Sequence, residues 1–408
     1  MRFLQAVLLS PLALAMVAVA AAASSYVVTD LGTPSGPGTY SWPHAMNQAG
    51  WVAGEWGGAF TQNAFLYENG ENSNVLLNAV AYGVNNTGVV VGKTGLAYTH
   101  GFSWSNGVST DLGTLAGTYS VAWAINNSGQ IVGESTVSTL PNAQVHAIWW
   151  HGGLKTDLGL LPGGDYSSAR GINDSNVIVG EATVISGNVT NLYAFVYTNS
   201  MQRLGPLPGP AYSSARAINN SGQIVGEAST TTGDTHAFLY AGGVMQDLGT
   251  LGGNLSSASS LNSFGQVVGY SSTAIGQRAF LYNGTSLIDL NTLLLPSSPC
   301  TNLITADAIN DAGQITGSGY TAAGDYHAFL LTPAAPAVWF TAVTPLGNGQ
   351  FQLMVNGTPG QQFVLLASGT LSNWNPVSTN LLVSNTLACT VSPAATTQFQ
   401  FYRAKLFP

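Results

Sequence analysis

The stretch Ser214-Ala215-Arg216-Ala217-Ile218-Asn219-Asn220-Ser221-Gly222-Gln223-Ile224-Val225-Gly226-Glu227 decides the fold, because copies of it recur through most of the chain. It reads as a β-hairpin. Two runs of alternating small and apolar residues flank Asn-Asn-Ser-Gly, whose Asn and Gly accept the positive φ of a tight reversal. Counted on the first Asn of the turn, the copies fall at Asn47, Asn85, Asn126, Asn173, Asn219, Asn262 and Asn310, with spacings of 38, 41, 47, 46, 43 and 48 residues. A period of about 40 to 50 residues, made only of strand and turn signals, is that of propeller blades.

Each copy continues into a third strand, as in His236-Ala237-Phe238-Leu239-Tyr240, and a fourth, as in Met245-Gln246-Asp247-Leu248-Gly249. The third recurs from Asn63, His100, His146, Tyr193, Arg278 and His327; the fourth recurs around Leu112, Leu158, Leu204 and Leu290, and only degenerately around Leu76. The seventh copy stops after its third strand. In compensation, Val28-Thr29-Asp30-Leu31-Gly32-Thr33 stands before the first hairpin as a fourth strand with no repeat in front of it. The expected fold is therefore all-β: a seven-bladed β-propeller of four-stranded blades over residues 24–332, closed by the N-terminal strand. The alternative, an open solenoid, leaves both sheet edges unpaired. Small residues two and four positions before the turn Asn, such as Ala215 with Ala217, suit an innermost strand where neighbours converge.

These residues resemble the HAF-type extracellular repeat. The resemblance rests on His236-Ala237-Phe238 and His327-Ala328-Phe329, on the Ile-Asn-Asn-Ser-Gly-Gln-Ile-Val-Gly hairpin, and on Asp247-Leu248-Gly249-Thr250-Leu251-Gly252-Gly253. It covers about residues 26 to 332 and implies export and a propeller-like array, with no agreed substrate. Copy one, with Met46-Asn47-Gln48-Ala49-Gly50, and copy four, where Asn176 replaces the turn Gly, depart furthest from it. From Pro333 the composition changes. Residues 333–338 read as a linker, and 339–408 look like the small β-sandwich at the C-terminus of many secreted bacterial proteins, which implies a binding or surface-association module.

At the other end, Met1 to Ala23 carry one cation, Arg2, then an apolar run and Ala21-Ala22-Ala23, the pattern of a secretory signal peptide cleaved after Ala23. The expected mature protein is soluble, without membrane insertion after cleavage, and is secreted or held in the cell envelope. Charged residues make up 6% of the chain against an average of about 25%, and the net charge is −8. Nine scattered Lys and Arg cannot build a phosphate-neutralising patch, which excludes nucleic acid and an anionic membrane surface as partners. Cys300 and Cys389 leave two outcomes open, one bridge or two separate buried thiols.

Strand alternation puts the second-to-third and fourth-to-first connections on one face, opposite the Asn turns. On that face Tyr40, Tyr119, Tyr166 and Tyr212 stand seven residues before the turn Asn, and Glu55, Glu134, Glu181 and Glu227 open the variable loops. Tyr rings beside carboxylates suit stacking on sugars. The competing reading is that residues shared by four of seven copies serve the blade itself. Four Glu on one rim also suit a cation site or an acid and base pair for glycoside hydrolysis. No triad, metal spacing or calcium loop is present, and no catalytic residue, metal or cofactor is assigned. Residues that break the repeat symmetry are the better place to look for catalysis, and these are Asp165, Asp234, Asp325, Lys93, His44 and His151. The recurring His100, His146, His236 and His327 are expected to be half-buried structural residues. The expected function is an exported, non-catalytic binding or structural propeller, with a glycan or cell-surface protein as partner; the alternative is a propeller hydrolase or lyase acting on polysaccharide.

Overall fold

The computed structural model describes residues 6–10, 13–17, 25–33, 39–58, 61–95, 99–205, 212–295, 298–334, 338–347, 349–357, 362–369, 373–392 and 400–406. The chain divides into two compact units, Val27–Thr332 and a second made of Met1–Tyr26 with Pro333–Pro408. Among the described residues there is no α-helix, only a 3-10 turn at Leu290–Leu293.

The repeats form seven antiparallel sheets of four strands. In the fifth copy the strands are Ser213–Ile218, Ile224–Ser229, Thr235–Ala241 and Val244–Asp247. The seventh sheet has Cys300–Ile309, Ile315–Thr321 and Tyr326–Pro333, and its fourth strand is Tyr26–Asp30 from the start of the chain. The side chains explain the motif. The third-strand His bonds the fourth-strand Asp in His100–Asp111, His146–Asp157 and His236–Asp247, each at 2.9 Å, and His327 does the same to Asp30 across 297 residues. That Asp also accepts the N–H of the Gly two residues on, which holds Gly32, Gly113, Gly159 and Gly249 at positive φ.

The turn Asn differs from expectation in one respect. Positive φ belongs to the fourth turn residue, Gly222 at +77° or Asn176 at +64°, while none of the seven leading Asn adopts it. The leading Asn is there for its side chain. Asn219 Oδ1 accepts the N–H groups of Ser221 and Gln223 inside its own turn, and Nδ2 donates to the carbonyl of Asn262 in the next hairpin. The same donation runs from Asn47 to Asn85, Asn126, Asn173 and Asn219, then from Asn262 to Asn310; Asn310 donates to Asn47 at 3.4 Å. Buried backbone carbonyls are costly to leave unpaired, so one side chain satisfies its own turn and its neighbour's.

Apolar cores lie between consecutive sheets. Val179, Ala194 and Leu204 of the fourth copy pack with Ala215, Ile224 and Phe238 of the fifth. Leu31, Ala328 and Leu330 likewise pack with Val52, Trp56 and Phe65 of the first. Third-strand Phe65, Phe102, Phe195, Phe238, Phe280 and Phe329 are all fully buried, each contributing about 1.5–3 kcal/mol.

The second unit has a three-stranded sheet, Val338–Gly347, Gln350–Gly357 and Thr386–Val391, and a five-stranded one that includes Gln362–Ser368, Asn375–Leu381 and Gln400–Leu406. Phe340, Leu353 and Val355 of the first and Phe363, Leu365 and Tyr402 of the second share one core. The remaining strands of the larger sheet are Ala6–Ser10, which pairs with Gln400–Leu406, and Ala13–Val17, which pairs with Ala6–Ser10 at the sheet's edge. They fall within the stretch expected to be removed as a leader. The expected cleavage point after Ala23 and residues 335–337 of the linker lie outside the described residues. Cys300 and Cys389 are both buried free thiols, one in each unit.

Candidate functional site

The first strand of every repeat carries a β-bulge at the same position, and the first strand of the seventh has two more. Ala215 faces Gly226 and Ala217 faces Val225, so the ladder skips Arg216. The same skip passes over His44, Tyr82, Trp123, Arg170, Ser259 and Asp307. The glycine of Ile-Val-Gly makes this possible. A Cβ on Gly226 would lie 1.9 Å from the Ser214 carbonyl oxygen, and the six equivalent glycines are crowded to the same degree, from 1.8 Å at Gly133 to 2.1 Å at Gly54. Only glycine lets the bulged strand come so close, and the extra residue is thereby turned out of the ladder.

The seven skipped residues all line one cavity of ≈ 270 Å³. Around it the residues on either side of the skip are almost all Ala, Gly or Ser, whereas the skipped position holds His, Tyr, Trp, Arg, Arg, Ser and Asp. Repeat symmetry is thus broken where the chain faces the cavity. A second cavity of ≈ 260 Å³ is lined by the turn residues. Met46, Val84, Ile125, Ile172, Ile218 and Leu261 line both, forming an apolar belt where they meet.

Inside the first cavity the polar groups are already oriented. Tyr82 and Trp123 have ring centroids 4.3 Å apart, and the Arg170 guanidinium lies 4.2 Å from the Trp123 ring. Arg170 Nη2 bonds Glu181 at 2.7 Å and Arg216 Nη2 bonds Glu227 at 3.0 Å. Each guanidinium has five N–H donors, so both keep donors free of these carboxylates, and Arg216 remains 43% exposed. His44 stands 3.8 Å from Glu55.

The eight residues singled out on the Tyr and Glu rim do not line this cavity; they form the layer behind it. Tyr119 donates to Glu134 at 2.7 Å, Tyr212 donates to Glu227 at 2.6 Å, and the Tyr166 hydroxyl lies between Glu134 and Glu181. Burial and these carboxylates push the Tyr119, Tyr166 and Tyr212 phenols well up, so they stay protonated and donate. Burial raises the Glu181 carboxyl too, but Arg170 and the Ser214 hydroxyl outweigh it and hold the group below the usual range. Copy one is the exception. Tyr40 pairs with Gln62, and Glu55, 9% exposed, has an Oε2 with no hydrogen-bond partner. Of the symmetry-breaking residues read from the sequence, His44 alone lines the cavity. Among the described residues no group of His, Cys, Asp and Glu is arranged to hold a metal ion, and no helix is long and apolar enough to cross a membrane.

No family model matches the chain, and no curated protein matches it. Among solved structures it is similar to TolB from Acinetobacter baumannii, at 12% identity and a TM-score of 0.37 over 70% of this chain and 64% of that one. It is also similar to a candidate gluconolactonase, at 10% identity and a TM-score of 0.27 over 64% of this chain and 81% of that one. The chain spans less than two thirds of the length of the TolB structure. Neither likeness bears on what the cavity holds.

Sequence reading missed six of the seven cavity residues. The signal was a column of unlike residues three positions before the turn Asn, but strand alternation gives no sign that the ladder skips there. Asp307 is the most consequential of them. Burial pushes its carboxyl up to about 6, against the opposing pull of the Thr305 hydroxyl at 2.9 Å and of His44 and Arg216. A carboxyl raised in the folded state favours folding most below its unfolded value, and that advantage is lost as pH rises through about 6. Asp307→Asn, which keeps the acceptor for Thr305, is therefore expected to stabilise the protein by roughly 2 to 3 kcal/mol at pH 8 and to change little at pH 4. Urea unfolding at the two pH values measures this; equal effects at both would contradict it.

Proposed function

We propose that this chain is an exported HAF-type repeat protein whose seven sheets close into a seven-bladed propeller, and that it binds a saccharide in the cavity ringed by His44, Tyr82, Trp123, Arg170, Arg216 and Asp307. Closure is supported by the Asn series, in which Asn310 donates back to Asn47, and by Tyr26–Asp30 completing the seventh sheet. The observation that carries the binding reading is the break in repeat symmetry at the skipped position and its convergence on one cavity. The chemistry suits a sugar. Tyr82 and Trp123 offer ring faces to C–H groups, Arg170 and Arg216 donate to hydroxyls, and Asp307 accepts from them. The Glu181 and Glu227 carboxylates behind the arginines offset their charge, which disfavours a polyanion.

Calorimetric titration of residues 24–408 with monosaccharides and short oligosaccharides tests this. Binding is expected in the wild type and is expected to fall at least about tenfold in Arg216→Ala and in Trp123→Ala, a loss of about 1.4 kcal/mol or more. Absence of any saccharide binding, or wild-type affinity retained in both variants, would sink the reading. One observation favours a second reading as an enzyme acting on polysaccharide: His44 and Asp307 form an asymmetric pair of proton-handling groups in the same cavity. Product analysis after prolonged incubation separates the two, since cleavage that disappears in Asp307→Asn belongs to the enzyme.

A further inference from the structure

Beyond the cavity, one sector of the molecule departs from the repeat at three further positions, and all three carry aromatic rings. Trp42 stands where the other six copies have buried Val, Ser or Thr. Tyr320 stands where they have Gly, Thr or Ser. Tyr326 stands where they have Gln, Thr, Val or Leu. Trp42 comes from the first sheet and the two tyrosines come from the seventh, yet their rings meet. Tyr320 and Tyr326 have centroids 5.2 Å apart, and Tyr326 and Trp42 are 5.7 Å apart.

The series does not end there. Trp42 stacks on His44 at 6.5 Å with 16° between planes, His44 meets Tyr82 at 5.0 Å, and Tyr82 meets Trp123 at 4.3 Å. Rings therefore run in unbroken contact from Tyr320 and Trp42, 44% and 38% exposed, to the residues that line the cavity. Burying such rings with their neighbours would serve packing; leaving Trp42 and Tyr320 exposed serves a ligand. No apolar core requires them, since the cluster between the first and seventh sheets is built from Leu31, Val52, Trp56, Phe65, Ala328 and Leu330.

Resting on the proposal that the cavity takes a saccharide, we infer that the ligand is the end of a saccharide chain. Its terminal unit occupies the cavity, and the following units lie along the ring faces of Trp42, Tyr326 and Tyr320. A sugar ring has an apolar C–H face and a hydroxyl edge, so a chain can stack successive units on aromatic faces while its edges stay in water. A polypeptide would seek a free strand edge for strand addition, and the second and third strands of both sheets in this sector, which carry Tyr320 and Tyr326 in the seventh, are paired on both sides.

The test is calorimetric titration of residues 24–408 with gluco-, manno-, xylo- and N-acetylglucosamine oligosaccharides of one to six units. In a series whose monomer binds, affinity is expected to rise about tenfold between one and three units. Trp42→Ala and Tyr320→Ala are each expected to remove most of that gain while leaving monomer affinity within about twofold, and Trp42→Phe is expected to retain it. Tyr320→Ala removes the more exposed of the two rings, so it reports on the track even where Trp42→Ala perturbs the fold. Monomer binding with no dependence on length, or a gain unchanged in both alanine variants, overturns the track and leaves the cavity standing. Binding of no saccharide in any series, or capture of a polypeptide in place of one, overturns both.

Discussion

Alanine at Gly226 is expected to destabilise the Val27–Thr332 unit by about 3 kcal/mol and to weaken saccharide binding with it. The added Cβ would sit 1.9 Å from the Ser214 carbonyl oxygen and 3.0 Å from the Ala215 Cα, and both are backbone atoms with no flexible side chain to move aside. Relief requires the first strand to pull away from the second. That costs the hydrogen bonds next to the bulge and lets Arg216 slip toward the ladder, where a shift of one residue turns a side chain to the opposite face. Stability and binding are thus coupled through one atom. Gly222→Ala is the control. Gly222 has φ +77° and open space around it, so alanine there meets only the left-handed backbone penalty of about 1–2 kcal/mol, and asparagine is tolerated better, as Asn176 at +64° in copy four demonstrates. Urea unfolding with calorimetry on the same samples orders the three variants. If Gly226→Ala unfolds no earlier than Gly222→Ala, glycine is not what sets the bulge.

The contrast between these two glycines also shows what could be read in advance. Strand order, the number of sheets and the use of Tyr26–Asp30 in the seventh sheet follow from local signals. Turn residues and apolar alternation repeat often enough to be counted, and a surplus strand at one end matched a deficit at the other. The cavity was hidden because alternation assumes an unbroken ladder. With the bulge included, the residue three before the turn Asn changes from an unremarkable exposed position into the one side chain aimed inward. The Tyr and Glu residues were visible as a pattern in four copies. Their partnership was not, since a phenol donating to a carboxylate in the layer behind a cavity and a phenol open to a ligand leave the same trace in the sequence. His236 and Asp247 show the reverse case, where each residue of the motif is explained by the other at 2.9 Å.

Removing residues 24–31 is expected to do more damage than any single substitution, on the order of 5 kcal/mol. Tyr26 and Leu31 are 2% and 4% exposed, and burying each contributes about 1.5–3 kcal/mol. The His327–Asp30 pair adds less, because both partners keep contact with water. What raises the damage beyond one frayed strand is the place of Leu31 in the cluster that joins the last sheet to the first, where its N–H also donates to the Ala328 carbonyl at 2.9 Å. The two architectures predict different patterns of native-state hydrogen exchange in the truncated chain. An open array loses protection in the Tyr326–Pro333 strand and keeps it in Tyr40–Met46 and Val52–Gly58, since the first sheet then owes nothing to the last. A closed ring loses protection in both sheets together, and a peptide of residues 24–33 added in trans restores both. Protection lost in the last sheet alone would overturn closure, because the contact from Asn310 to Asn47 would then not tie the first sheet to the last.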